Sequence, residues 1–419
     1  MDNGHHNGAS ETAGKPIICK VCRSGGQPLV IEDIEVAPPK EWEVRIKILC
    51  TSLCHTDLTF WKIESGPFIA YPRIFGHEAV GIVESIGEHV KELREGDTVV
   101  PVFFANCGEC RDCKSQKSNV CTKFVDKHYN AMPRDAVGRF KDMKGRPIHH
   151  FLFVSSFTEY TVVDVTHVVK IPPPMPIDKA CLLSCGVSTG RSFVSNLKSI
   201  ASVKALLLLL AYNNGWFNET GLGAVWKVAQ VEEGSTVAVF GLGAVGLAVA
   251  QAAKLRGASK IIGVDLNPEK EDIGRKLGVT DFIDPTTLGD KKISEAIKEL
   301  TDGGADYCFE CIGLTSIVRD AIESSREGWG RTIILGVEGQ GNPLSLNCGE
   351  MMKGRGVIGS FFGGVKAKSD IPSFAQMYMN KELCLDGFIT HHVGFQDINK
   401  AFEYMLQGQS LRCIIWVDK

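Results

Sequence analysis

The chain has no apolar run long enough to cross a membrane. Its longest, Ala205–Tyr212 (ALLLLLAY), falls far short of the roughly 20 residues that a bilayer-spanning helix needs. Neither charge dominates. Acidic residues number 49 and basic ones 46, for a formal net charge of −3, which argues against a general electrostatic grip on nucleic acid or on anionic lipid. The opening 16 residues (MDNGHHNGASETAGKP) lack the apolar centre of a secretory signal and read as a flexible tail. No solenoid-type repeat recurs along the chain. These absences point to a soluble, cytoplasmic protein whose partners are neither nucleic acid nor membrane.

Cysteine, by contrast, is plentiful, with 15 residues. In a reducing compartment such thiols serve metal binding more readily than disulfides. The 419 residues suffice for two or three domains with buried cores. Up to about residue 180 the sequence reads mostly as strands, such as Trp42–Leu49, Ala79–Ile86, Thr98–Val102 and Glu159–Val163, broken by Gly and Pro. Beyond about residue 230, short apolar strands (Ser235–Phe240, Lys260–Val264, Ala305–Glu310, Arg331–Gly336) alternate with helical segments such as Val245–Leu255 and Asp290–Thr301. That alternation implies an α/β architecture with a parallel sheet covered on both faces. The end of the chain, Leu411–Val417, returns to strand.

Three constellations carry chemistry. Cys107, Cys110, Cys113 and Cys121 lie on one short loop (NCGECRDCKSQKSNVC), where four thiolates can close tetrahedrally around a structural zinc ion. The spacing superficially resembles an iron–sulfur run but lacks the proline after the last cysteine. Cys54, His77 and Cys185 are dispersed, and together would make an open zinc site of the two-cysteine, one-histidine type. Gly241-x-Gly243-x-x-Gly246 follows the strand STVAVF and opens the helix AVGLAVAQAAKL, the context of a dinucleotide-binding turn. Asp265 closes the next strand, placed to accept hydrogen bonds from an adenosine ribose and to repel a 2′-phosphate, so NAD is favoured over NADP. Cys308 and Cys311 read as inert buried thiols, and His149–His150 and His391–His392 as surface pairs.

With CHTD at 54–57, FGHEAVGIVESIGE at 75–88, the four-cysteine lobe at 107–121, SCGVSTG at 184–190, VFGLGAVGL at 239–247 and FGGVK at 362–366, the sequence resembles the zinc-containing medium-chain alcohol dehydrogenases, the plant alcohol dehydrogenase-like group above all. The resemblance implies a GroES-like, mostly β catalytic domain (17–186 and 362–419) and a doubly wound Rossmann coenzyme domain (187–361), after a tail at 1–16. It implies two zinc ions per subunit, with Cys54, His77 and Cys185 on the catalytic one, Glu78 beside it, and Asp57 hydrogen-bonded to His77. Thr56 would touch the alcohol oxygen. His55 and Arg412 match cationic positions near the coenzyme pyrophosphate, and Asp265 and Lys270 match positions at the ribose. Thr189, Leu335 and Val337 would surround the nicotinamide, with Phe103 and Phe361 lining the pocket for a small alcohol or aldehyde. Thr59 stands where animal relatives end a proton relay in histidine. A homodimer is expected by the same resemblance.

One segment departs from the family pattern. Removing Arg191–Gly221 restores the run VSTGLGAVWKVA, so these 31 residues read as a translated retained intron or as a lineage-specific loop. Besides NAD-dependent oxidation of a primary or secondary alcohol, the sequence leaves two readings open. One is a dehydrogenase of the glutathione adduct of formaldehyde. The other is a zinc- and NAD-binding protein impaired by the insertion.

Overall fold

The computed structural model describes residues 17–66, 69–124, 130–185, 221–336, 343–360 and 362–417; of the insertion at 191–221, residues 191–220 lie outside them. Six strands form a wholly parallel sheet in the spatial order Asp281–Ile283, Lys260–Val264, Thr236–Phe240, Tyr307–Glu310, Arg331–Ile334, Gly356–Gly359. The chain thus starts at the centre, winds to one side and then to the other, the doubly wound order. The central strand TVAVF buries four of its five residues, as a strand covered on both faces must. The winding reverses beside Thr236–Phe240, the switch point at whose C-terminal strand ends sheets of this order form a crevice.

The second unit is antiparallel for the most part. Its larger sheet runs Val168–Lys170, Thr98–Pro101, Glu78–Ile86, Glu43–Leu53, Cys413–Trp416, His391–Gly394, and Tyr160–Asp164 also pairs with Glu43–Leu53. A smaller sheet orders Arg73–Ile74, Ile17–Cys22, Val30–Val36, Phe140–Asp142 and Pro147–Ile148. The last strand of the chain therefore closes on one of the first, with Cys413 opposite Leu53.

Cys308 and Cys311 are buried in and just after Tyr307–Glu310, and burial pushes both thiols up, so they are inert as expected. His150 is not at the surface: it is fully buried, packed on Phe140 with ring centroids 4.5 Å apart, and its Nε2 accepts from the backbone N–H of Arg139 at 3.0 Å. Its burial comes from the pairing of Phe140–Asp142 with Pro147–Ile148, which no local pattern announces.

Candidate active site

Strand register explains how residues far apart in sequence meet. Ser52 stands opposite Glu78 and Leu53 opposite Cys413, so Cys54, His77 and Arg412, each one step beyond a paired position, emerge at the same end of one sheet. Gly76, with φ +92°, makes the turn into His77; a Cβ there would strike the backbone N of Phe157. Cys185 arrives after helix Ile177–Leu182. Its neighbour Ser184 fixes that arrival: the hydroxyl donates to the Cys181 carbonyl at 2.6 Å and accepts from the N–H of Ala79 at 3.1 Å. The ligand atoms of Cys54, His77, Glu78 and Cys185 all lie within 4.8 Å of one another, and all four residues are buried.

Asp57 orients the imidazole. It sits in the first turn of helix His55–Lys62, where its Oδ2 accepts from the N–H of Cys54 at 3.1 Å. Its Oδ1 accepts from the N–H of Gly76 at 3.0 Å and pairs with His77 Nδ1 at 3.1 Å. With Nδ1 engaged, Nε2 faces the sulfurs, 3.1 Å from Cys185 Sγ. A carboxylate behind a histidine in this way fixes the nitrogen that a metal takes. Burial disfavours charge here, yet the Asp57 carboxylate and Cys54 raise His77 well above its ordinary value. Against the same burial, the hydrogen bond with Cys185 and the Arg412 charge hold the Cys54 thiol well below its own. Burial pushes Glu78 up to about 8, opposed by Arg412, whose Nε lies 3.2 Å from Glu78 Oε2. Two sulfurs and an imidazole nitrogen aimed at one point fit a zinc site that keeps a position open.

The second cluster, Cys107, Cys110, Cys113 and Cys121, also brings its sulfurs within 4.8 Å of one another. Short helix Arg111–Lys114 is capped by a member of the set, Cys110 Sγ accepting from the N–H of Cys113 at 3.3 Å. Although burial opposes it, that backbone bond and the neighbouring thiols lower Cys110 to about 6. Its apolar cluster is small: Ala105, Phe124 and the cysteines themselves. Four convergent thiols fit a closed, structural zinc site.

At the crevice of the parallel sheet, Gly241 takes φ +90°, and a Cβ on Gly246 would run into the Gly241 carbonyl oxygen, so both glycines are required by shape. Gly243 precedes helix Ala244–Leu255 with open space around it, the place for a phosphate at a helix N-terminus. Asp265 reaches back to this turn, Oδ2 accepting from the N–H of Leu242 at 2.7 Å. Lys270 begins helix Lys270–Leu277, and Leu335 is buried just past strand Arg331–Ile334.

Thr56 stands at the rim of the two-cysteine cluster, Oγ1 3.7 Å from Cys54 Sγ, and half-buried His55 opens the same helix. Thr59 is buried, with no hydrogen-bond partner for Oγ1 among the described residues. The Phe103 ring lies 5.7 Å from His77 and 5.5 Å from Phe362, a pocket neighbour the sequence reading passed over. Arg412 is buried beside the cluster, Nη2 3.8 Å from Cys54 Sγ. Thr189, Val337 and Phe361 lie outside the described residues.

Two family models match the chain. Residues 40–173 match the alcohol dehydrogenase GroES-like domain and residues 244–380 the zinc-binding dehydrogenase domain. The chain is 55% identical over 413 residues to alcohol dehydrogenase-like 1 of Arabidopsis thaliana, covering 98% of each protein. It is 47% identical over 414 residues to alcohol dehydrogenase 1 of Petunia hybrida, covering 98% of this chain and all of that protein. Among solved structures, benzyl alcohol dehydrogenase of Acinetobacter calcoaceticus superposes with a TM-score of 0.81 at 26% identity, over 96% of this chain and 99% of that one.

Proposed function

The chain belongs to the zinc-type alcohol dehydrogenase family, and from that premise we propose that it oxidises a small primary or secondary alcohol to the aldehyde or ketone, reversibly, with NAD as hydride acceptor. Its oxidoreductase class, a zinc requirement and a nucleotide cofactor follow from the family; the substrate, NAD and two zinc ions per subunit are our reading. Bound zinc supplies a Lewis acid that lowers an alcohol's pKa, and the nucleotide supplies the hydride acceptor.

The side chains do the rest. Cys54, His77 and Cys185 would hold the catalytic zinc with Glu78 beside it, and the four cysteines at 107–121 the structural one. Asp57 keeps His77 in the tautomer whose Nε2 faces the sulfurs. The Thr56 hydroxyl is placed to take the alcohol proton and pass it on, and Thr59 offers no imidazole to receive it. Phe103 and Phe362 make an apolar wall that keeps water from the reacting carbon. The Asp265 carboxylate, beside the glycine turn, disfavours a 2′-phosphate. His55, Arg412 and Lys270 supply positive charge for the coenzyme, Leu335 packs near its nicotinamide, and the active form is a cytoplasmic homodimer.

The observation that carries this reading is the convergence of Cys54, His77, Glu78 and Cys185 within 4.8 Å in a buried pocket. The test is zinc content together with turnover of a short-alcohol panel with NAD and NADP, on the full chain and on one lacking 191–221. Two zinc ions per chain and NAD-dependent oxidation in either form support it. Zinc and NAD binding without turnover in both forms would make the protein a binder and contradict it.

A further inference from the structure

Three consecutive residues, Phe362, Gly363 and Gly364, have φ of +47°, +58° and +67°. For the glycines this is free, but a phenylalanine held in the left-handed region is strained and persists only where its surroundings over-determine it. Phe362 is fully buried, its ring 5.5 Å from Phe103 and 5.7 Å from Phe104, and Phe103 packs in turn on His77. A strained residue thus shapes the aromatic wall of the proposed active site.

Two contacts hold the turn. On one side it presses on Gly223, where a Cβ would collide with the Gly363 carbonyl. On the other it is tied to the four-cysteine lobe. Lys366 Nζ donates to the carbonyls of Cys113 at 2.7 Å and Ser115 at 2.5 Å, and Asn119 Nδ2 donates to the Val365 carbonyl at 3.2 Å. Cys113 is one of the four thiols, and Ser115 and Asn119 lie on the loop between it and Cys121. The ammonium makes charge-assisted bonds, stronger than neutral ones, to a lobe with hardly any apolar core of its own.

We infer that Lys366 is a positioning residue: through it the four-cysteine lobe holds the Phe362 turn, and so sets the shape of the aromatic wall beside His77 and the size of alcohol that fits. The part concerning alcohols rests on the proposed function; the mechanical link between lobe and turn does not.

The test compares the full chain with Lys366→Met, Lys366→Arg and the milder Asn119→Ala, by hydrogen exchange and by kcat and KM for ethanol and benzyl alcohol. In Lys366→Met, exchange rises both at 105–121 and at 362–366. The benzyl-to-ethanol ratio of kcat/KM changes by roughly fivefold or more, mostly through KM. Arginine, which keeps the charged donors, restores most of both, and Asn119→Ala shows the same changes in smaller degree. Faster exchange confined to the lobe would overturn the inference, as would a ratio that stays at its wild-type value. Should neither the wild-type chain nor the form lacking 191–221 oxidise an alcohol, the proposed function fails, and exchange at 362–366 alone decides for or against the link. If Lys366→Met does not fold, Asn119→Ala decides in the same way.

Discussion

Asp57 and His77 are hydrogen-bonded at 3.1 Å, and neither side chain reaches solvent. The same carboxylate ties the N–H of Cys54, so one side chain fixes two members of the cluster at once, the imidazole and the start of the helix that follows the thiol.

Replacing it tests that double role. Asp57→Asn keeps the size but weakens the acceptor for Nδ1–H, and should lower zinc affinity and kcat/KM by roughly 10–100-fold. Chelator competition measures the first and steady-state kinetics the second. Unchanged zinc affinity would remove Asp57 from the site.

The lobe at 105–124 has a small apolar cluster built largely of the cysteines themselves, so a metal held by the thiols should carry much of its stability. Cys121→Ser should drop zinc from two ions per chain to one and open the lobe to proteolysis, while NAD binding at the parallel sheet persists. Metal analysis and limited proteolysis check it.

On the proposed function, coenzyme choice should turn on Asp265, whose carboxylate sits at the glycine turn. Asp265→Ser should raise kcat/KM with NADP relative to NAD by about tenfold or more, since it removes a repulsion equivalent to more than about 1.4 kcal/mol. Coenzyme kinetics decide.

Acid stability should follow the buried histidines. Burial, with help from the nearby Arg139 charge, lowers His150 to about 3, and burial lowers His167 to about 4. Both fold as neutral rings, so the unfolded chain binds more protons than the native one between those values and the ordinary 6.5. The stability is fully present above pH 6.5 and is lost as pH falls towards 3. His150 alone should cost about 3 kcal/mol by pH 4. Denaturant melts from pH 7 to 4 check this, and His150→Asn should flatten the slope.

How much was legible in the sequence depends on range. The glycine turn was readable because its causes are local: the positive φ of Gly241, the close packing of Gly246 and the strand just before them. The four-cysteine lobe was readable for the same reason, its ligands being confined to one loop. Cys54, His77 and Cys185 could be grouped by ligand chemistry but gained their weight from the family resemblance, because the register of Ser52 on Glu78 that unites the first two is invisible to local spacing. Phe362 was read only as part of the FGGVK motif and given no role, since nothing in FFGGVK announces a left-handed phenylalanine packed on Phe103. Arg412 was assigned to the coenzyme, and only the pairing of Cys413 with Leu53 reveals that it also faces Glu78. His150 was misread because strand pairing, not its neighbours in sequence, buries it.

The most direct measurement is anomalous scattering at the zinc edge from crystals of the full-length protein. One peak bonded by Cys54, His77 and Cys185, with a second among Cys107, Cys110, Cys113 and Cys121, is the expected result. A lobe peak alone, with nothing between Cys54, His77 and Cys185 in zinc-replete protein, would contradict the account.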